Sequence, residues 1–225
     1  VFCLMLLQAS FAQDWTPSEQ KDYHSAIVRV SGDGYGGSGT VIKRIGDSQH
    51  EGYYIGWILT ASHVINTSDT LFVVYFNNGK YVEGGRVVIK SMSNDSFADY
   101  GVIRALIPDE IVPMEVSSQD VPVEATVELA GFGAGSFRHW NATYGGKNES
   151  AGGHIVHSWA IQGDSGGPII YKGKVIGVIC FGSAIRKYKD TERYIVTPVY
   201  GTNVDRVQDR LASEEEKSGE NKEDS

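Results

Sequence analysis

Three short segments carry side chains whose chemistry exceeds the needs of a turn or a core. The first is Trp57-Ile58-Leu59-Thr60-Ala61-Ser62-His63-Val64, an apolar strand that delivers an imidazole at its end. The second is Ala98-Asp99-Tyr100-Gly101-Val102-Ile103, an acid directly before another apolar strand. The third is Gln162-Gly163-Asp164-Ser165-Gly166-Gly167-Pro168, where glycines on both sides of a serine leave its amides uncovered by side chains. Each alone has a plain structural reading: a histidine packed at a strand end, a turn aspartate, a Gly-rich turn. Together they supply the parts of nucleophilic catalysis. A serine hydroxyl is a poor nucleophile until a neighbouring base takes its proton. Imidazole titrates near neutrality and can be that base. The imidazolium then needs a carboxylate to hold its tautomer and offset its charge. Bare N–H groups aimed at one point can receive the oxyanion that forms. The expected roles are Ser165 as nucleophile, His63 as general base and Asp99 as the residue that orients the base.

Such residues need a scaffold, and the pattern around them is one of short strands. Ala26–Val30, Thr40–Ile42 and Tyr53–Thr60 read as a meander, with a sharp turn expected in the Gly-rich run Gly32–Gly39. Leu71–Phe76 and Tyr81–Ile89 flank Asn77-Asn78-Gly79-Lys80, a hairpin signal. Gly101–Ala105 follows. Residues 107–122 carry Pro108, Pro113 and Pro122 and read as a connector between two halves. Ala125–Ala130, Ile155–Ala160, Pro168–Tyr171, Val175–Phe181 and Tyr194–Val199 form a second set of strands, and residues 133–153 read as loop. A helix is expected only at 203–211, where Val204, Val207 and Leu211 fall on one face. The fold class is all-β, a sandwich or barrel with one closing helix.

Chain order restricts the chemistry. Gly163-x-Ser165-x-Gly167 also fits the nucleophile elbow of α/β-hydrolases, which run Ser, acid, His. All six histidines, at 24, 50, 63, 139, 154 and 157, precede Ser165, so no base remains downstream. The subtilisin order Asp, His, Ser could use Asp33 or Asp47, but it needs an α/β alternation that this chain lacks. His, Asp, Ser is the order that suits an all-β chain.

Composition narrows the classes further. The chain has 225 residues, 41% hydrophobic, with 27 glycines and a formal net charge of -8. Residues 214–225 hold six acids and two lysines and are expected to be disordered, as is the whole of 212–225. An acidic chain has no electrostatic reason to bind nucleic acid. The densest basic spot, Arg186 with Lys187 and Lys189, reads as a solvated loop. The two cysteines, Cys3 and Cys180, cannot make a disulfide framework, and no Cys/His set has the spacing of structural zinc. His154 and His157 read as strand residues rather than metal ligands. The start, Val1-Phe2-Cys3-Leu4-Met5-Leu6-Leu7 then Ser10-Phe11-Ala12, resembles a signal peptide over 1–12, without a basic leading region. It is too short to span a bilayer. Export to a secreted, periplasmic or extracellular location is the expectation. Four sequons, at Asn66, Asn94, Asn141 and Asn148, matter only in a host that glycosylates.

The three chemical segments resemble those of the trypsin-like, or chymotrypsin-fold, serine proteases. Gly163-Asp164-Ser165-Gly166-Gly167-Pro168 matches that family's nucleophile motif at every position. Thr60-Ala61-Ser62-His63 is similar to its Ala-Ala-His-Cys signature without the cysteine, and Asp99-Tyr100-Gly101-Val102-Ile103 to its Asp-hydrophobic-Ala-Leu-Leu segment. Gly177–Ser183 is similar to its substrate-binding strand. The resemblance covers roughly residues 25–210. It implies two six-stranded antiparallel β-barrels, about 25–106 and 123–200, with the site in the cleft between them. It implies a serine endopeptidase acting on polypeptides through an acyl-enzyme, with no metal or organic cofactor. The amides of Gly163 and Ser165 would form the oxyanion hole. Trp159, Gln162, Cys180, Phe181 and Gly182 would contact substrate, and the indole at 159 argues against a Lys/Arg preference. Gly36-Gly37-Ser38-Gly39-Thr40 and the lack of disulfides look more like bacterial trypsin-like and HtrA-type proteases, without room for a PDZ domain. Ile27-Val28 is followed by Arg29-Val30 rather than two glycines, so activation by a cut before Ile27 is not expected. A non-catalytic binding homologue and an esterase are the rival readings.

Overall fold

The computed structural model describes residues 23–32, 35–66, 71–91, 99–148, 153–181, 185–187, 194–196, 199–204, 207–208 and 210–214. The expected signal segment, Gly182 and residues 215–225 of the acidic tail lie outside them.

A 3-10 turn (Tyr23–Ala26) leads into β1 (Ile27–Gly32), β2 (Tyr35–Asp47), β3 (Tyr53–Thr60), β4 (Phe72–Phe76), β5 (Tyr81–Lys90) and β6 (Gly101–Pro108). These close into an antiparallel barrel in the order β1-β2-β3-β6-β5-β4. A second closed barrel holds β7 (Thr126–Gly131), β8 (Arg138–Asn148), β9 (Gly153–His157), β10 (Pro168–Tyr171), β11 (Lys174–Phe181) and, after a small β12 (Ile185–Lys187) and β13 (Tyr194–Val196) pair, β14 (Val199–Asn203). The fold is therefore all-β, two barrels of six strands each, as the sequence led one to expect.

Alternation along the strands decides which side chains fill the barrels. Phe72, Val74 and Phe76 of β4 point inward, as do Val127 and Leu129 of β7. Asn77–Lys80 makes the expected hairpin, with Gly79 at φ +84° and its N–H donated to the Phe76 carbonyl. Residues 109–125 contain no strand longer than a single bridge and tie the barrels together. The Met114 amide donates to the Val41 carbonyl of the first barrel, while the Ser117 N–H donates to the Val175 carbonyl of the second and the Val175 N–H donates to the Glu115 carbonyl.

Three local expectations are corrected. The glycines of 35–39 do not form the turn; they lie inside β2, paired residue by residue with β1 as far as Gly32 opposite Tyr35. Residues 138–148, expected as loop, form the long strand β8. Its polar residues face outward in alternation, and β7 and β9 supply its pairing. At the C-terminus Asn203 ends β14, and helical residues occur at 207, 208 and 210–214, with Val204, Val207 and Leu211 buried as the face pattern implied. Among the described residues no helix is long and apolar enough to cross a membrane.

Among the described residues, Tyr54 of the first barrel and Tyr144 of the second are almost completely buried. Tyr54 donates to the Ile111 carbonyl at 2.9 Å, and Tyr144 Oη lies 2.8 Å from His154 Nδ1. Burial pushes both phenols up to about 12. A phenol kept neutral in the folded state adds stability that is complete below its unfolded value near 10 and is lost as pH rises towards 12. An absorbance titration should thus leave Tyr54 and Tyr144 protonated after the exposed tyrosines ionise. Chemical denaturation should show stability falling between pH 10 and 12, more shallowly in Tyr54→Phe.

Candidate active site

His63 sits in a 3-10 turn (Ser62–Ile65) directly after β3. The turn is anchored by Ser62 Oγ, which donates to the Ser91 carbonyl at 3.2 Å. Ser91 and Tyr100 are joined by the Ser91 N–H on the Tyr100 carbonyl at 2.9 Å and the Tyr100 N–H on Ser91 Oγ at 3.2 Å. These bonds bring Asp99 under the turn. One carboxylate oxygen accepts the His63 backbone N–H at 2.9 Å, and the other lies 2.5 Å from Nδ1. A carboxylate bound at both points fixes the ring and the tautomer, leaving Nε2 as the basic nitrogen. Asp99 is largely covered, with 13% of its side chain exposed, whereas His63 is 47% exposed and open to a reactant. Cys180 Sγ, buried, contacts the Asp99 carbonyl at 3.4 Å from the opposite barrel.

The segment around Ser165 lies between β9 and β10 and packs on the first barrel. The Ser165 carbonyl accepts the Ser38 N–H at 2.7 Å. A Cβ on Gly37 would stand 2.6 Å from that same carbonyl oxygen and 2.6 Å from Val64, so only glycine permits the approach. Gly166, at φ +86°, lies against Ser38, Thr60 and Ala61, two residues before His63. The segments bearing the three expected residues therefore meet at the junction of the barrels.

The amides of Asp164, Gly166 and Gly167 donate to Ile161, Ile179 and Asp164 carbonyls. Among the described residues, the Gly163 and Ser165 amides have no protein acceptor, the condition an oxyanion pocket requires. Gly163 adopts φ +101°, and a Cβ there would press within 2.5 Å of the Phe132 carbonyl.

Two positioning residues were not legible in the sequence. Ser38, wholly buried, donates its hydroxyl to the Gly163 carbonyl at 2.6 Å and accepts the Phe132 N–H at 2.8 Å. Thr60 Oγ1 in turn donates to the Ser38 carbonyl at 2.6 Å. Arg138 is the second. Its Nε and Nη2 donate to the two oxygens of Asp164 at 3.1 and 2.6 Å, and the Ile161 N–H adds a third bond at 2.8 Å. The Asp164 side chain is 0% exposed. The guanidinium is stacked by Trp140 at 4.0 Å and Trp159 at 4.7 Å, ring centroid to Cζ.

Of the expected substrate contacts, Trp159 is 56% exposed and lies over that guanidinium, Gln162 is exposed, and Cys180 is buried beneath Asp99. Phe181 ends β11, and Gly182 follows it outside the described residues. His154 is buried between Tyr144 and the Ile176 carbonyl, 2.7 Å from its Nε2, while His157 is exposed.

A paired imidazole and carboxylate on one barrel, with a glycine-flanked serine segment of the other barrel packed against it, suit a serine peptidase of two-barrel fold. Residues 37–178 match the family model described as "Trypsin-like peptidase domain", and the chain belongs to that family. The fold is similar to that of the Rv3671c protease in an inactive form, at 21% identity and a TM-score of 0.59 over 85% of this chain and 90% of that one. The active form of that protease from M. tuberculosis gives 20% and 0.60 over 85% and 81%. The serine endoprotease from Yersinia pestis gives 17% and 0.63 over 88% of this chain and 65% of that one.

Removing Arg138 leaves a buried carboxylate without a cation, a change that costs about 3–5 kcal/mol. Arg138→Leu should lose stability of that order by urea denaturation. Arg138→Leu with Asp164→Asn should recover part of it, because no buried charge is then left unpaired.

Proposed function

We propose that the protein is a secreted serine endopeptidase working through Ser165, His63 and Asp99. The observation that carries the reading is the two-point grip of Asp99 on His63, through the backbone N–H and Nδ1. A structural histidine needs one such bond; a general base needs its tautomer fixed and its other nitrogen left open. In the proposed sequence, Ser165 Oγ attacks the scissile carbonyl carbon while its proton passes to His63 Nε2. The carbonyl electrons move to oxygen, which the Gly163 and Ser165 amides receive. The C–N bond then breaks as His63 gives the proton to the leaving amine, leaving an acyl ester on Ser165. Water, deprotonated by the same imidazole, attacks that ester, and as the acyl C–O bond breaks His63 returns the proton to Ser165 Oγ and the acid is released. The substrate backbone would add as a strand along 180–182, with Trp159 and Gln162 at its side.

The enzyme is proposed to need no newly cut N-terminus. Ile27 is fully buried and paired with Thr40 inside β1, and the cation beside Asp164 is supplied by Arg138. Protein bearing residues ahead of Ile27 should therefore turn over peptides as purified.

A serine-directed phosphonate should label Ser165 under native conditions and fail to label His63→Ala. Asp99→Asn should keep the fold and lower kcat by about 10⁴-fold, through the wrong tautomer. Absence of labelling in the folded wild-type protein would favour a binding homologue. Turnover of esters but not peptides would favour an esterase.

A further inference from the structure

Away from the proposed active site, three metal-capable side chains converge on the outer face of the second barrel. Glu128 lies on β7 between the inward-facing Val127 and Leu129, so its side chain points away from the core. His139 lies on β8, paired with Ala130 and hence diagonal to Glu128 on the same face. His24 arrives from the 3-10 turn that precedes β1 of the other barrel. His24 Nε2 is 2.6 Å and His139 Nδ1 3.1 Å from the same oxygen, Glu128 Oε1, and the three ligand atoms lie within 4.8 Å of one another. The imidazole centroids are 4.3 Å apart. Tyr23 donates its hydroxyl to the other oxygen, Glu128 Oε2, at 2.5 Å.

We propose that His24, Glu128 and His139 form a zinc-type transition-metal site that clips the N-terminal turn to the second barrel. Two imidazoles and one carboxylate suit Zn²⁺, whereas Ca²⁺ and Mg²⁺ need more oxygen ligands than are present. Tetrahedral ligands at 2.0–2.1 Å stand roughly 3.3 Å apart, so the separation of any ligand pair needs to change by no more than about 1.5 Å. Tyr23 orients the carboxylate, the part an outer-shell donor plays at a metal centre. The Phe137 ring lies 5.7 Å from His24 and 6.0 Å from His139 and walls one side. His24 and Glu128 are 19% and 15% exposed, while His139 is 52% exposed, which leaves an approach for the ion and for a water as fourth ligand. Each imidazole takes the metal on the nitrogen that now faces Glu128 and carries its proton on the other. Arg138, which grips Asp164, is the neighbour of His139 on β8. Its side chain lies on the opposite face of that strand, so the clip and the ion pair share a backbone without sharing an atom.

The test is calorimetric titration of the metal-stripped full chain with ZnCl₂. One site tighter than about 10 µM is expected, together with a rise in Tm on adding Zn²⁺. His63→Ala should keep that site, which separates it from zinc held by the proposed catalytic pair. His139→Ala and Glu128→Gln should abolish the tight site and the Tm rise, and Tyr23→Phe should weaken it by about 10-fold. His139 is half-exposed, so its variant is the one expected to fold normally; far-UV circular dichroism without metal checks this, and Glu128→Gln, which keeps the shape of the side chain, is the second arm. A wild-type chain that binds no tighter than about 0.1 mM would overturn the proposal, as would variants that fold and keep wild-type affinity, or a tight site lost in His63→Ala alone.

Discussion

A carboxylate with no exposure to water stays ionised only if something replaces its hydration, and the Ser165 segment is built around such a group. Asp164 receives three N–H donors, two from Arg138 and one from Ile161. Gly131 and Gly133 form the near wall; a Cβ on Gly133 would come within 2.6 Å of the carboxylate. With Asp164 fixed, the chain on either side of it is fixed too. Gly163 turns through a positive φ, Ser165 presents its carbonyl to the first barrel, and the Gly163 and Ser165 amides are left without an acceptor among the described residues. The ion pair is thus a positional device more than a stabilising one, since a buried pair gains little over apolar packing while its geometry is rigid.

The second barrel supplies that loop, and the first supplies the surface it lies on. Contact at this closeness needs missing side chains. Gly37 and Gly39 sit inside β2 because the Ser165 carbonyl and Ile58 occupy the space their Cβ atoms would need. Ser38, between them, converts the seam into bonds, with its hydroxyl linked to Phe132 and Gly163 and its main chain to Ser165 and Thr60. Thr60 is the last residue of β3, and His63 follows it after a single turn. His63 and the Ser165 segment are therefore referenced to one buried serine, which gives the site precision without a disulfide among the described residues, where Cys180 is buried.

Much of this could be read in advance, and the failures have physical causes. The His63, Asp99 and Ser165 segments stood out because reactive side chains beside glycines or at strand ends are locally unusual. The all-β class followed from period-two runs such as Phe72–Phe76. The run 35–39 was misread because glycine signals a turn from local freedom, whereas here it signals proximity to a distant backbone. β8 was misread because a strand with solvent on one face carries Asn, Gly, Lys and Thr, the residues of loops; its neighbours, not its composition, make it a strand.

The amino-acid sequence by itself determined the chemical inventory, the order of its parts and the strand alternation of an all-β chain, because these depend on residue type and spacing within a few positions. Partnership was decided only in three dimensions. Arg138 meets Asp164 across 26 residues, Ser38 meets Phe132 across 94 and Gly163 across 125, and His24 meets Glu128 across 104. No local pattern encodes such pairs. They exist because barrel closure fixes which strand lies beside which, and a buried charge or hydroxyl must then be satisfied by whatever the closed fold brings to it.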